Sequence, residues 1–214
     1  MPDVEFRPNV TWRNDLLWPA ALYGARVPHG LPETWVRAPL YVTAAEMQRL
    51  SPSSTIRVVA GLTTAEFSVR FADVQQQWRT VPGGGGQRWQ FQGGVVYWDL
   101  GMALYVVEGF RDFERILVTI MEHELLHVLD ERGIVTDYMT AQARQDQYVR
   151  RYLLEGAPVD DAMFRNWFQG TGFQDWIKNG IWVPEHNRRA TQRDSGPEWE
   201  RYRERIDSLM RSGR

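Results

Sequence analysis

The chain has 214 residues, enough for one compact domain with a substantial core. Its apolar share of 43% is that of a globular protein, and its formal net charge of −2, with both signs interspersed, speaks against nucleic-acid or membrane-surface binding. The absence of cysteine excludes disulfides, cysteine zinc sites and thiol catalysis. Residues 1–10 lack a basic segment followed by an apolar stretch, and no run of apolar residues is long enough to span a bilayer. The expectation is a protein that is cytoplasmic by default, with export by a signal-independent route left open.

Residues 1–40 are rich in Pro and Trp and lack clear periodicity, so they are expected as an irregular wrap with short extended pieces. Thr43-Ala44-Ala45-Glu46 is a capping-box pattern that predicts a short helix to about Leu50, ended by Ser51-Pro52-Ser53-Ser54. Strand signals follow at 55–60, and Phe67, Val69 and Phe71 alternate with Ser68, Arg70 and Ala72. Gly83 to Gly86 predict a flexible loop, after which Trp89 and Phe91 alternate with polar neighbours. Val95-Val96-Tyr97-Trp98, closed by Gly101, and the run from Leu104 to Val107 predict two further strands.

The pattern then changes. Phe113, Ile116, Leu117, Ile120, Met121, Leu125, Val128 and Leu129 recur at helical spacing, predicting an amphipathic helix over 112–131 that stops at Gly133. Further helices are expected at 140–155, at 161–169 after Asp160, and at 197–211 after Ser195. The last carries Trp199, Tyr202, Ile206 and Leu209 on one face. Strands first and helices later predict an α+β class and a single domain: a wrap (1–40), a sheet plus helix (41–139) and a helical C-terminal part (140–214).

The chemistry lies in Glu122-His123-Glu124-Leu125-Leu126-His127. Histidines at i and i+4 stand one turn apart on one helix face, so both imidazoles can reach a single tetrahedral zinc. Glu124 lies between them, placed to act as general base on a water activated by the metal. Two of the four histidines fall in this frame, late in a helix that follows a block of strands.

This segment resembles the zincin metallopeptidases, which carry HExxH on an active-site helix. The resemblance implies a twisted, mainly antiparallel sheet packed on that helix, a zinc cofactor and a peptide or protein substrate. It also implies an edge strand before the helix that holds the substrate extended. Val95 to Leu100 is a candidate for that strand, and an ordinary core strand is the equal alternative.

A catalytic zinc takes three protein ligands, and the third is not evident. His127-Val128-Leu129-Asp130 lacks the glycine and third histidine of the metzincin pattern. Asp130 lies too far along the axis to coordinate; orienting a ligand suits it better, as does a plain solvated helix end. Gly133-Ile134-Val135-Thr136-Asp137-Tyr138 resembles, with different spacing, the aspzincin stretch in which an aspartate is the third ligand, so Asp137 is the leading candidate for the metal. Thr136 or Asp137 could instead cap the next helix. Asp146, Glu155 and His186 are the other candidates, and His29 reads as a turn residue. Tyr138, Tyr148 and Tyr152 are possible oxyanion donors or packing residues. The competing reading is a non-enzymatic interaction module with a chance HExxH, its Trp residues and C-terminal helix serving as contact surfaces. A zinc enzyme acting on a cell-wall peptide crosslink is a third.

Overall fold

The computed structural model describes residues 1–51, 60–83 and 86–212. The strand signal at 55–59, the stop at 52–54 and the middle of the glycine loop at 84–85 lie outside these residues. In chain order the elements are β1 (Asp3–Trp12), β2 (Leu40–Val42), α1 (Ala44–Leu50), β3 (Gly61–Phe71), α2 (Val74–Gln77), β4 (Trp78–Gly83), β5 (Gly86–Phe91) and β6 (Gly93–Val107). Then come α3 (Glu114–Gly133), α4 (Met139–Gln145), β7 (Val159–Asp160), α5 (Asp161–Met163), α6 (Gly172–Ile177), α7 (Val183–Arg193) and α8 (Pro197–Ser212). Wide-turned helical segments join several of them, at Ile134–Tyr138, Val149–Leu154, Phe164–Gln169 and Lys178–Trp182.

The class is α+β, and strand orientation is mixed. One sheet centres on β6, which pairs with β1, β2 and β3; β2 runs parallel to it, Leu40 opposite Tyr105. The other sheet, β4-β5-β7, is antiparallel. Val95 to Leu100 therefore belongs to the strand that all its sheet neighbours pair with, and Val96, Trp98 and Leu100 are fully buried. The core-strand alternative holds there. Gly101 lies inside β6 rather than closing it, and the two predicted strands are one.

The wrap expected over 1–40 holds more order than its composition suggested, because β1 is a ten-residue strand. The capping box forms as expected. Thr43 Oγ1 accepts from Glu46 N, and Glu46 Oε2 accepts from Thr43 N at 2.8 Å. Replacing Thr43 by alanine is expected to cost about 1 kcal/mol of stability, read as a lower denaturation midpoint at unchanged slope.

The chain divides into two compact units, each assembled from separate stretches. The first comprises residues 1–11, 66–100 and 133–186. Its core is aromatic. Phe6 stacks on Trp98 at 5.0 Å, Phe67 on Trp182 at 5.5 Å and Trp89 on Phe164 at 4.1 Å. The fully buried Trp98 donates its indole N–H to Thr140 Oγ1, so a large apolar body is buried without an orphaned donor.

The second unit comprises residues 12–65, 101–132 and 187–214. Met102 to Val106 of β6 are buried without alternation, the mark of a strand covered on both faces. Met47 of α1 packs against Ala103 and Tyr105. Buried Asn14 acts as a clamp: its amide donates to Ala38 O and Leu104 O and accepts from Leu104 N, all within 3.0 Å. α3 is buried nearly all round between Ile116 and Leu125, where one apolar face was expected, so its polar residues there sit among neighbours rather than in water. Among the described residues, no helix is long and apolar enough to cross a membrane.

Candidate metal centre

His123 and His127 stand one turn apart on α3, as their spacing requires, with ring centroids 5.0 Å apart and planes nearly perpendicular. Their Nε2 atoms lie 3.3 Å from each other. Asp194 closes the group: its Oδ1 lies 3.2 Å from His123 Nε2 and 3.1 Å from His127 Nε2. These three residues are the group among the described residues whose donor atoms converge closely enough to hold a metal.

The donor set fits zinc. In a tetrahedral site with bonds of about 2.0–2.1 Å, neighbouring donors sit about 3.3–3.4 Å apart, close to each edge of this triangle. Protons satisfy the triangle less well. An imidazole nitrogen either donates or accepts along one in-plane direction, so hydrogen bonds can occupy two edges and leave the third as a close unfavourable contact. A common cation serves all three.

Electrostatics tie the group together. Burial alone would raise the Asp194 carboxyl, but the hydrogen bonds and charges of His123 and His127 outweigh it and hold the group well below the usual carboxylate range. For His127, burial disfavours the charged ring, yet the Asp194 hydrogen bond and the charges of Glu124, Asp194 and Asp130 prevail and raise its pKa.

Glu124 is 4% exposed. Its Oε2 accepts from Thr63 Oγ1 at 2.9 Å, which orients the carboxylate and keeps it satisfied while buried. β3 can approach α3 this closely because residue 61 is glycine. A Cβ there would stand 2.5 Å from Ile120 Cγ2 and 2.8 Å from Glu124 Oε1.

Asp194 is delivered by the end of α7. Arg193, its neighbour, makes a two-pronged ion pair with Asp130, at 2.7 Å from Nε and 3.2 Å from Nη2. Arg189 donates to the Asp130 carbonyl. Asp130 thus does not reach the metal group, and instead ties down the chain that presents its third member.

α8 completes the surroundings. Tyr202 stacks on the His123 ring at 4.3 Å, and Trp199 lies 5.2 Å from it. The Tyr202 hydroxyl is pushed above its ordinary value by burial and by the charges of Glu124 and Asp194.

Asp137, the leading third-ligand candidate, is not in this group. Gly133 keeps helical angles (φ −61, ψ −33), so the expected helix stop is missing, and Asp137 is exposed on the helical continuation Ile134–Tyr138. The other candidates have different work. Asp146 caps the backbone N–H groups of Tyr148 and Val149 and accepts from the Trp176 indole. Glu155 is exposed with Arg150 beside it, His186 stacks on Trp182, and His29 is an exposed turn residue. Tyr148 and Tyr152 belong to an aromatic cluster of the first unit.

Asp194 escaped sequence reading because Asp194-Ser195-Gly196-Pro197 carries ordinary turn and helix-start chemistry. Its only local signal is a carboxylate beside an arginine at a helix end. Thr63 gave none. No protein-family model, curated protein or solved structure matches this chain, so its site is read from its own geometry.

Proposed function

We propose that this chain is a zinc-dependent peptidase in which His123, His127 and Asp194 hold the metal and Glu124 is the general base. The observation that carries the reading is the convergence of three donor atoms at 3.1–3.3 Å, two of them on the helix that also bears Glu124. A zinc ion held there would supply Lewis acidity and lower the pKa of a coordinated water toward about 7. Glu124 takes a proton from the water that attacks the peptide carbonyl and passes it to the leaving amine. Thr63 fixes one of its oxygens through that cycle. The approach of β3 to α3 at Gly61 and Thr63 supports the zincin-like arrangement, in which a sheet backs the active-site helix.

Asp130 is the positioning residue of this scheme. Asp130→Asn removes the charge that holds Arg193, so zinc affinity is expected to fall about 10–100-fold, measured by competition with a chelator. The low exposure of Glu124 favours one alternative, a structural metal in a non-enzymatic module.

The direct test is zinc content by elemental analysis on wild type and His123→Ala, with hydrolysis of an unfolded protein measured with and without chelator. Stoichiometric zinc lost in the variant, and chelator-sensitive hydrolysis, are expected. Zinc without hydrolysis would leave the structural-metal reading, and no zinc in wild type would end both.

A further inference from the structure

We infer that α8 is an autoinhibitory lid: it covers the metal centre through Trp199 and Tyr202 and must swing away about Gly196 before a peptide can enter. This inference rests on the peptidase reading. It starts from an incompatibility. His123 is 8% exposed and Glu124 is 4% exposed while Asp194 is 46% exposed, so the donor group is open on the Asp194 side and closed on the side of His123 and Glu124, where a peptide would have to lie to share a water with the general base. A peptide seated on that closed side requires the element over His123 to move.

α8 is the element over His123, and it is held lightly. Of its sixteen residues Ile206 alone is buried, while Trp199, Tyr202 and Leu209 are half-buried along one stripe. The other side chains are exposed, so the packing that holds the helix is confined to this one stripe. An open groove of about 360 Å³, lined by Val118, Arg205 and Leu209 among others, borders its C-terminal half. Arg205 makes an ion pair with Glu122 at 2.8 Å, with the arginine half exposed to solvent. Glu122 also accepts from Arg26 N and remains satisfied if Arg205 leaves.

The hinge falls at a suitable place. Gly196 has φ +87, with no heavy atom within 4 Å of where a Cβ would stand, so the backbone there is free to change direction. Asp194 lies on the other side of that hinge, tethered through Arg193 to Asp130 at 2.7 Å, while the longer 3.7 Å contact of Arg193 with the exposed Glu198 of α8 is the one that opening gives up. The lid can therefore open while the third ligand stays in place. A closed state of this kind scales activity by the fraction of molecules that are open, and whatever binds the open state raises it.

The test uses the full chain, as wild type, Arg205→Glu and Tyr202→Ala. Arg205→Glu sets two carboxylates against each other and opens the lid without touching the ligands. Zinc content is measured first, then the rate at which excess chelator strips the zinc, then hydrolysis of an unfolded protein. Both variants are expected to retain zinc, to lose it to chelator at least about tenfold faster and to hydrolyse faster than wild type. Amide exchange in wild type supplies a readout independent of metal: residues 197–212 should exchange as one unit, well ahead of α3. Unchanged stripping rates in zinc-loaded variants, or exchange of α8 only together with α3, would overturn the lid and leave the metal centre standing. A wild type without zinc would overturn the peptidase reading, and the lid with it.

Discussion

Replacing Asp194 by alanine is expected to leave the chain folded and unable to hold zinc at the concentrations that saturate wild type. The loss should exceed the ~100-fold that removal of an outer partner costs, because the proposed site loses one of its own ligands. Two histidines one turn apart remain, but three protein donors are needed to fix the ion and leave one position open. Folding should survive because Asp194 has 46% side-chain exposure and lies at the end of α7, outside the core. Elemental analysis and chelator competition read the affinity, and thermal unfolding of the metal-free variant reads the fold. Asp137→Ala, on an exposed residue outside the group, should behave as wild type. Full zinc retention by Asp194→Ala would mean that another side chain completes the site.

Glu124→Gln is expected to separate binding from chemistry. The amide has the size of the carboxylate, and its carbonyl oxygen can still accept from Thr63 Oγ1, so the buried position stays filled and satisfied. Zinc content should not change, because Glu124 is not among the three converging donors. Turnover should fall about 10²–10⁴-fold, since glutamine cannot take a proton from water at neutral pH. Single-turnover hydrolysis of an unfolded protein, with zinc verified in the same sample, is the measurement. A variant that keeps both zinc and full activity would remove Glu124 from the chemistry. A wild type with zinc and no hydrolysis under any condition would favour the structural-metal alternative.

Much of the local structure was legible in sequence. The capping box at Thr43 and Glu46, the alternation at Phe67, Val69 and Phe71, and the cap at Asp160 each depend on neighbours within a few residues, and each forms as read. Misreadings arose where a local signal was overruled. Gly133 is a permissive residue that stops a helix when the chain needs to turn, and here the chain continues in helical geometry. Gly101 sits within a strand because β6 is held by three partners. No local signal marks the helices from Gly172 to Arg193; they begin among glycines and aromatic residues whose side chains are buried by distant parts of the chain.

For the site, the histidine pair and the place of Glu124 beside it follow from spacing along the chain. Helix geometry sets the separation of i and i+4 side chains whatever surrounds them. The rest comes from packing between distant segments. Asp194 comes from 67 residues beyond His127 and reaches the pair because α7 ends beside α3, with Asp130 gripping Arg193. Thr63 comes from 61 residues before Glu124 and reaches it because Gly61 lets a strand lie against that helix. Trp199 and Tyr202 read as an ordinary packing stripe until α8 is seen to lie on His123. Contacts between residues so far apart in the chain are created by packing, and no spacing along the sequence encodes them.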